Sequence, residues 1–312
     1  MSEIKAILLC GSNIAIPVIR DLLFNQQIAA VVIPQHCTDF VTQIQQLLKN
    51  SGIPIVLVNR QNITDLLKET IKKYKPVLGL VFTFSFKIPA AVYTMPEQGF
   101  FNVHPGPLPA YRGPDPIFQQ IVNKERYAGI SIHQLDDGLD TGPLVLTDKI
   151  HLMATDTYGM LTKKMGELAT GMIATLMKMA GFGSKIPSRQ QDHSKAKFYQ
   201  RQSAADITIK WQTMDAASVI ALINACNPWN KGAVTVLNNN IIRLLVAHAE
   251  DVLPASTEAA GTILSFDDNG MKVATSAGQA IVVRMIYTDD GFLMANRLQE
   301  FGIIPGAMLG AA

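Results

Sequence analysis

Cysteine is scarce: Cys10, Cys37 and Cys226 are the 3 in a chain of 312 residues, and no two are spaced as Cys-x-x-Cys. An odd number without paired spacing argues against a disulfide scaffold and a thiolate zinc site, and suits a reducing compartment. Charge is sparse as well. Charged residues make up 17% of the chain, and 27 Lys and Arg against 25 Asp and Glu leave a formal net charge of +2. That balance carries no broad electropositive field for long nucleic acid. Long apolar runs are missing: nothing approaches the roughly 18 uninterrupted apolar residues of a spanning helix. The opening run from Ile4 to Cys10 contains Lys5 and stops at Gly11-Ser12-Asn13, too short for the apolar region of a signal peptide. A cytoplasmic protein with no membrane partner is expected. GxGxxG after the first strand, a Walker-type phosphate loop, HExxH and Gly-x-Ser-x-Gly are also absent, which removes the strongest sequence support for dinucleotide, nucleotide-phosphate, zincin and esterase readings.

What is present suits a large domain followed by a smaller one, since 48% of the chain is hydrophobic and a domain spans roughly 100–200 residues. Three early units repeat one grammar: a branched-aliphatic run, a punctuating Gly, Pro or Asn, then helical spacing, which implies βαβ crossovers. Ile4 to Cys10 precedes a helix over Ile14 to Phe24. Ala29 to Ile33 precedes a helix over Phe40 to Leu48, and Ile55 to Val58 precedes one capped by Asn62. Val77 to Phe82 is almost continuously apolar, as a parallel strand covered on both faces must be. Another strand, Gly99 to His104, runs into a loop dense in Pro and Gly, from Pro105 to Pro116. A short helix over Pro116 to Val122 and strands over Gly129 to Leu135 and Pro143 to Leu152 follow. Asp156 or Thr157 caps a long helix to about Met179, with Leu161, Met165, Leu168, Met172, Ile173 and Leu176 inward.

From Ser184 to Arg201 the apolar period disappears and basic residues gather, which reads as a linker. Beyond it, a helix over Ala216 to Ala225 introduces short strands separated by turns such as Asn238-Asn239-Asn240. The fold class expected is α/β: a Rossmann-like domain with a mostly parallel sheet over 1–183, a linker over 184–204, and a small β-barrel-like, OB-like domain over 205–312.

Two segments carry chemistry. Asn102 and His104 lie two apart on a strand, so a carboxamide and an imidazole share one face at its C-terminal end, the edge where open α/β sheets bind ligands. Asp136-Asp137-Gly138-Leu139-Asp140 sets three carboxylates in a loop between two strands; one turned inward would stabilise an imidazolium at His104. Taken alone, each segment also admits a plain structural reading: strand-end residues satisfying backbone groups, and Asx turns.

The run Phe101-Asn102-Val103-His104-Pro105-Gly106-Pro107-Leu108-Pro109-Ala110-Tyr111-Arg112-Gly113, followed by Gly138-Leu139-Asp140-Thr141-Gly142, resembles the 10-formyltetrahydrofolate-dependent formyltransferases with the two-domain layout of methionyl-tRNA formyltransferase. Phe84-Ser85-Phe86-Lys87-Ile88-Pro89 and Asn227-Pro228-Trp229-Asn230-Lys231-Gly232-Ala233 extend the likeness over nearly the whole chain. The resemblance implies Asn102, His104 and Asp140 as catalytic residues. It implies Phe84, Phe86, Ile88, Asp136, Asp137 and Gly138 around 10-formyltetrahydrofolate, and Gly11, Ser12, Gly106, Pro107, Leu108, Tyr111 and Arg112 toward the acceptor. No metal is implied.

Two departures bear on the acceptor. Family members acting on initiator tRNA carry a basic insertion after the second strand, whereas here no Lys or Arg stands between Ile33 and Leu48. The family's Ser-Leu-Leu-Pro is replaced by Gly106-Pro107-Leu108-Pro109. Pro228-Trp229, and Tyr199-Gln200-Arg201 leading toward Trp211, are similar to formyltransferases of nucleotide-linked amino sugars. A small-molecule primary amine is therefore the expected acceptor and initiator tRNA the alternative. A folate-binding or carrier-interacting protein without turnover, and a hydrolase releasing formate, are the further readings.

Overall fold

The structure, a computed structural model, describes residues 4–250 and 257–310. It divides into two compact units. One comprises Met1–Gly113, Ala128–Ile150 and Thr162–Tyr199, the other Pro114–Tyr127, His151–Leu161 and Gln200–Ala312.

The first unit is built on strands β1 (Ala6–Cys10), β2 (Ile28–Pro34), β3 (Ile55–Val58), β4 (Leu78–Phe82), β5 (Phe100–His104), β6 (Tyr127–Gln134) and β7 (Leu144–His151), in the order β3-β2-β1-β4-β5-β6-β7. β3, β2, β1, β4 and β5 are mutually parallel, and β6 runs antiparallel to β5. The continuous apolar reading of these strands follows from cover on both faces. Ile7 and Leu9 of β1 join Val32, Val81 and Phe100 in a cluster capped by Ile63, Leu67 and Ile71 of helix α3, while Leu8, Val31 and Leu80, on the alternate positions, are equally buried.

Helices α1 (Ile16–Phe24, entered by a 3-10 turn over Asn13–Ala15), α2 (Thr38–Leu47), α3 (Ile63–Tyr74) and the short α4 (Ala90–Tyr93) connect the first five strands. α4 is not anticipated by periodicity, because four residues are too few to show one. Asn62 stands at the α3 N-terminus but does not cap it. Its Oδ1 accepts from Asn59 N at 2.8 Å, and Asn59 Oδ1 accepts from Asn62 N at 3.1 Å. α5 (Pro116–Val122) is capped by Asp115, which accepts from Phe118 N. α6 (Tyr158–Gly181) is capped by Thr157, whose hydroxyl accepts from Met160 N at 3.3 Å. Its expected inner residues are buried except Leu168, which is half-buried.

The second unit carries α7 (Ala216–Ala225) and an antiparallel sheet of β8 (Ala233–Leu237), β9 (Asn240–Ala249), β10 (Ile263–Asp267), β11 (Gly270–Ala274), β12 (Ala280–Thr288) and β14 (Leu309–Gly310), ordered β10-β11-β12-β9-β8-β14, with β13 (Gly291–Met294) on β12. Register shifts between β12 and β9 around Met285 bend and twist the pair, in keeping with the barrel-like domain expected. β13 and β14 are too short to register in the sequence.

Candidate active site

The chain lays down β1, β2 and β3 outward and returns to place β4 on the other side of β1. This reversal opens a crevice at the C-terminal strand ends, the usual ligand position in such sheets. Ser12, after β1, meets Thr83, after β4, through hydroxyls 2.8 Å apart. Beside β4, β5 delivers Asn102 and His104 to the same edge, anchored by buried Phe100, Phe101 and Val103.

Asp140 is the meeting point. Its Oδ1 lies 3.3 Å from Asn102 Nδ2, 3.7 Å from His104 Nδ1 and 3.6 Å from His133 Nε2. His104, His133 and Asp140 are 4%, 1% and 7% exposed, so these separations act in a poorly solvated setting; Asn102 is half-buried and opens the group outward. The backbone of Asp140 sits in the left-handed region at φ 55°, a conformation Asp tolerates better than most residues.

Two supports hold it there. Gly113 N donates to Asp140 Oδ2 at 3.0 Å, and the Gln191 amide donates to the carbonyls of Asp140 and Gly142 at 2.9 and 2.8 Å. Gln191 Oε1 in turn accepts from Arg112 Nη2 at 2.8 Å, which also donates to His193 Nδ1. Gly113 has φ 118°, and a Cβ there would run into the Tyr199 carbonyl, so a glycine is required where its N–H meets the carboxylate.

The tautomers follow from the carbonyls. His104 Nε2 lies 2.6 Å from the Tyr111 carbonyl, which only accepts, so Nε2 bears the proton and Nδ1, the nitrogen facing Asp140, holds the lone pair. His133 Nδ1 donates to the Gln134 carbonyl at 2.9 Å and its Nε2 accepts from Asn102 Nδ2 at 3.1 Å. Burial pushes the His104 imidazole below its ordinary value, against the opposite pull of the Asp140 carboxylate and the Tyr111 carbonyl. For Asp140, burial pushes upward, but the His133 ring, the His104 ring and the Gly113 N–H together outweigh it and hold the carboxyl below the usual carboxylate range. The pair is a neutral base beside a carboxylate.

The other anticipated residues fall into two groups. Phe84 and Phe86 meet edge to face at 5.7 Å, and Phe86 meets His36 likewise at 5.9 Å. Ile88 is in the core with Val92 and Phe100. Lys87 Nζ donates to the Asp137 carbonyl and Tyr93 OH to Asp137 Oδ1, joining the segment after β4 to the acidic loop. Asp136 Oδ1 accepts from Gly138 N and the Thr141 hydroxyl, so this carboxylate builds its own turn.

Gly106 N donates to the His104 carbonyl, and Ser131 ties the Gly106 carbonyl to Leu108 N, while Pro107 packs on Gly129. Leu108, Tyr111 and Arg112 are buried, and Tyr111 stacks on Tyr199 at 5.3 Å. Gly11 stands beside Ser12, where a Cβ would press on the Thr83 carbonyl and Cys37. Sequence reasoning passed over His133 and Gln191. His133 faces Asn102 across the β5–β6 register, a signal that needed the register; Gln191 lies in a stretch with no periodicity.

A carboxamide donor, a buried neutral imidazole and its carboxylate at the edge of an open α/β sheet define an enzyme site suited to acyl-group transfer. The chain matches the formyl transferase family over residues 19–176 and the formyl transferase C-terminal domain over residues 202–297. A methionyl-tRNA formyltransferase of Kosmotoga olearia is 30% identical over 237 residues, covering 76% of this chain and 75% of that one. Another, of Syntrophomonas wolfei, is 24% identical over 308 residues and 96% of each chain. Among solved structures, an N-formyltransferase from Helicobacter canadensis, in complex with folinic acid and dTDP-3-aminofucose, superposes with a TM-score of 0.67 at 16% identity, over 90% of this chain and 98% of that one. The chain belongs to the formyl transferase family, and it is a formyltransferase with the family's two-domain architecture.

Among the described residues no helix is long and apolar enough to cross a membrane. Burial raises the thiols of Cys10 and Cys226, the latter to about 12, as inert core cysteines require.

Proposed function

We propose that this enzyme transfers the formyl group of 10-formyltetrahydrofolate to the primary amine of a small molecule, with a nucleotide-linked amino sugar as the acceptor class to test first. The observation that carries the reaction is the convergence of Asn102 and His104 on one carboxylate oxygen of Asp140. The folate fits the residues present. Its flat ring with a polar rim suits an aromatic pair, Phe84 and Phe86, beside a loop whose carboxylates are already occupied and whose backbone remains for recognition. Bound there, 10-formyltetrahydrofolate supplies an activated formyl carbon.

As an amine attacks that carbon, negative charge grows on oxygen and positive charge on nitrogen. Asn102 Nδ2 donates to the oxygen by releasing the longer of its two bonds, the 3.3 Å one to Asp140. His104 Nδ1 takes the amine proton, the Asp140 carboxylate stabilises the imidazolium formed, and the imidazolium returns that proton to the departing tetrahydrofolate nitrogen as its bond to the formyl carbon breaks. The non-turnover reading needed a misplaced Asp140, and a 3.7 Å approach to His104 gives it no support.

The short turn between β2 and α2, Gln35 to Cys37, without an added basic segment supports a small acceptor, since each phosphate contact needs a cationic partner. The 24% identity over 308 residues with a methionyl-tRNA formyltransferase favours tRNA instead. Tetrahydrofolate release, measured with 10-formyltetrahydrofolate and either amino-sugar nucleotides or charged methionyl-tRNA, separates them. Release dependent on the sugar amine is expected; release with methionyl-tRNA alone would assign the second acceptor, and equal formate release without any amine would mark a hydrolase.

A further inference from the structure

β8 pairs with β9 only over Asn240 to Leu244. Among the described residues the remaining overhang, 245–249, pairs on one side alone, with β12. A cavity of about 570 Å³ lies along this overhang, within the roughly 300–1,000 Å³ of ligand pockets. It is contained in the second unit.

All five consecutive overhang residues, Leu245 to Ala249, line the cavity. Side chains alternate between the faces of a strand, so a surface that meets every residue in turn meets the strand's edge. Asn227 confirms the direction: it also lines the cavity, and its Nδ2 donates to the Leu245 carbonyl at 3.1 Å. The lining also includes the apolar Ile121, Leu152, Met153, Ile220 and Ala221.

An open strand edge facing an apolar trough is the arrangement that accepts another strand, backbone to backbone, with alternate side chains in the trough. The charge beside it selects the flank. Against Lys124, Arg126 and His248 the lining carries the carboxylate of Glu125. Lys124 is occupied by Ser218 and Asp215, whereas Arg126 lies over the Tyr127 ring at 5.4 Å and finds no carboxylate partner among the described residues.

We propose that the β9 overhang is a docking site for an extended peptide segment of another protein, apolar at alternate positions and acidic at the end nearest Arg126, which adds to the sheet as a strand. It is independent of the acceptor proposed above.

The test uses the full chain and two fluorescent capped heptapeptides alternating valine with threonine, with two glutamates at either the first or the last end, because the strand direction is open. Saturable binding of one of them is expected, with amide shifts at 245–249. N-methylation of alternate peptide amides, which keeps the side chains but removes edge hydrogen bonds, weakens binding about tenfold. Arg126→Glu weakens it about fivefold, less at high salt, and Ala221→Trp fills the trough and abolishes it while leaving formyl transfer intact. Absence of saturable binding by either peptide overturns the proposal, as does equal binding of parent and N-methylated peptides. Both of those outcomes are read on the unmodified protein, so neither depends on a variant folding.

Discussion

Asp140 does three things with one side chain. Oδ1 receives Asn102 and faces His104, Oδ2 takes the Gly113 N–H, and the backbone carbonyl takes Gln191. Its carboxylate raises a His104 that burial lowers. Replacing Asp140 with Asn removes that support, so the acid limb of the kcat profile, where in the proposed mechanism His104 loses its proton to act as base, is expected to move to lower pH as kcat falls. A limb at unchanged pH would show that the titrating base is a different group. Gln191 donates to the Asp140 backbone, which makes it a positioning residue in the proposed mechanism. Gln191→Ala is expected to lower kcat about tenfold to a hundredfold with little change in KM, and to add almost nothing in an Asp140→Asn background; additive losses in the double-mutant cycle would place its effect elsewhere. Strand spacing put Asn102 and His104 on one face, whereas the choice of Asp140 among three loop carboxylates came from the family resemblance alone. The sequence concealed His133 and Gln191, whose roles arise from strand register and from a segment held by isolated bridges.

At the scale of elements, the loop after β5 and the loop before β7 are joined by a single backbone donor. Gly113 reaches Asp140 only because its φ of 118° and its missing Cβ let the chain pass beneath Tyr199. Gly113→Ala places a methyl against a carbonyl in a region L residues avoid, so a loss of about 1–3 kcal/mol is expected, read as a lower denaturant midpoint, together with reduced formyl transfer. An unchanged midpoint would mean that the loop relaxes freely. The first five strands were readable because burial on both faces makes each an uninterrupted apolar run. α4, β13 and β14 were not, since two to four residues cannot display a period. Residues 184–199, part of the first unit, lost theirs for another reason: Arg189 and Phe198 each make one isolated bridge, to Leu144 and Arg112, and only scattered side chains such as Ile186 and Gln191 are buried.

For the whole molecule, the site makes stability depend on pH. His104 in the folded chain lies below its ordinary 6.5, so the unfolded chain binds that proton more readily. Its contribution is full above about 6.5 and declines as pH falls below it. Asp140 is held below its ordinary 3.8, and what it adds is present above that value and lost on further acidification. A denaturant midpoint that falls between pH 7 and 5, less steeply in His104→Gln, is the expected result; identical slopes in the two proteins would remove His104 from the linkage. The family matches cover residues 19–176 and 202–297, and the residues of the candidate site lie in the first unit. The most direct measurement is the single-turnover rate of formyl transfer from 10-formyltetrahydrofolate to the acceptor by wild type and Asn102→Ala, with folding checked by the denaturant midpoint. A fall of about 10²–10³ at an unchanged midpoint is predicted for loss of one positioned donor, and a wild-type rate in a folded Asn102→Ala enzyme would contradict it.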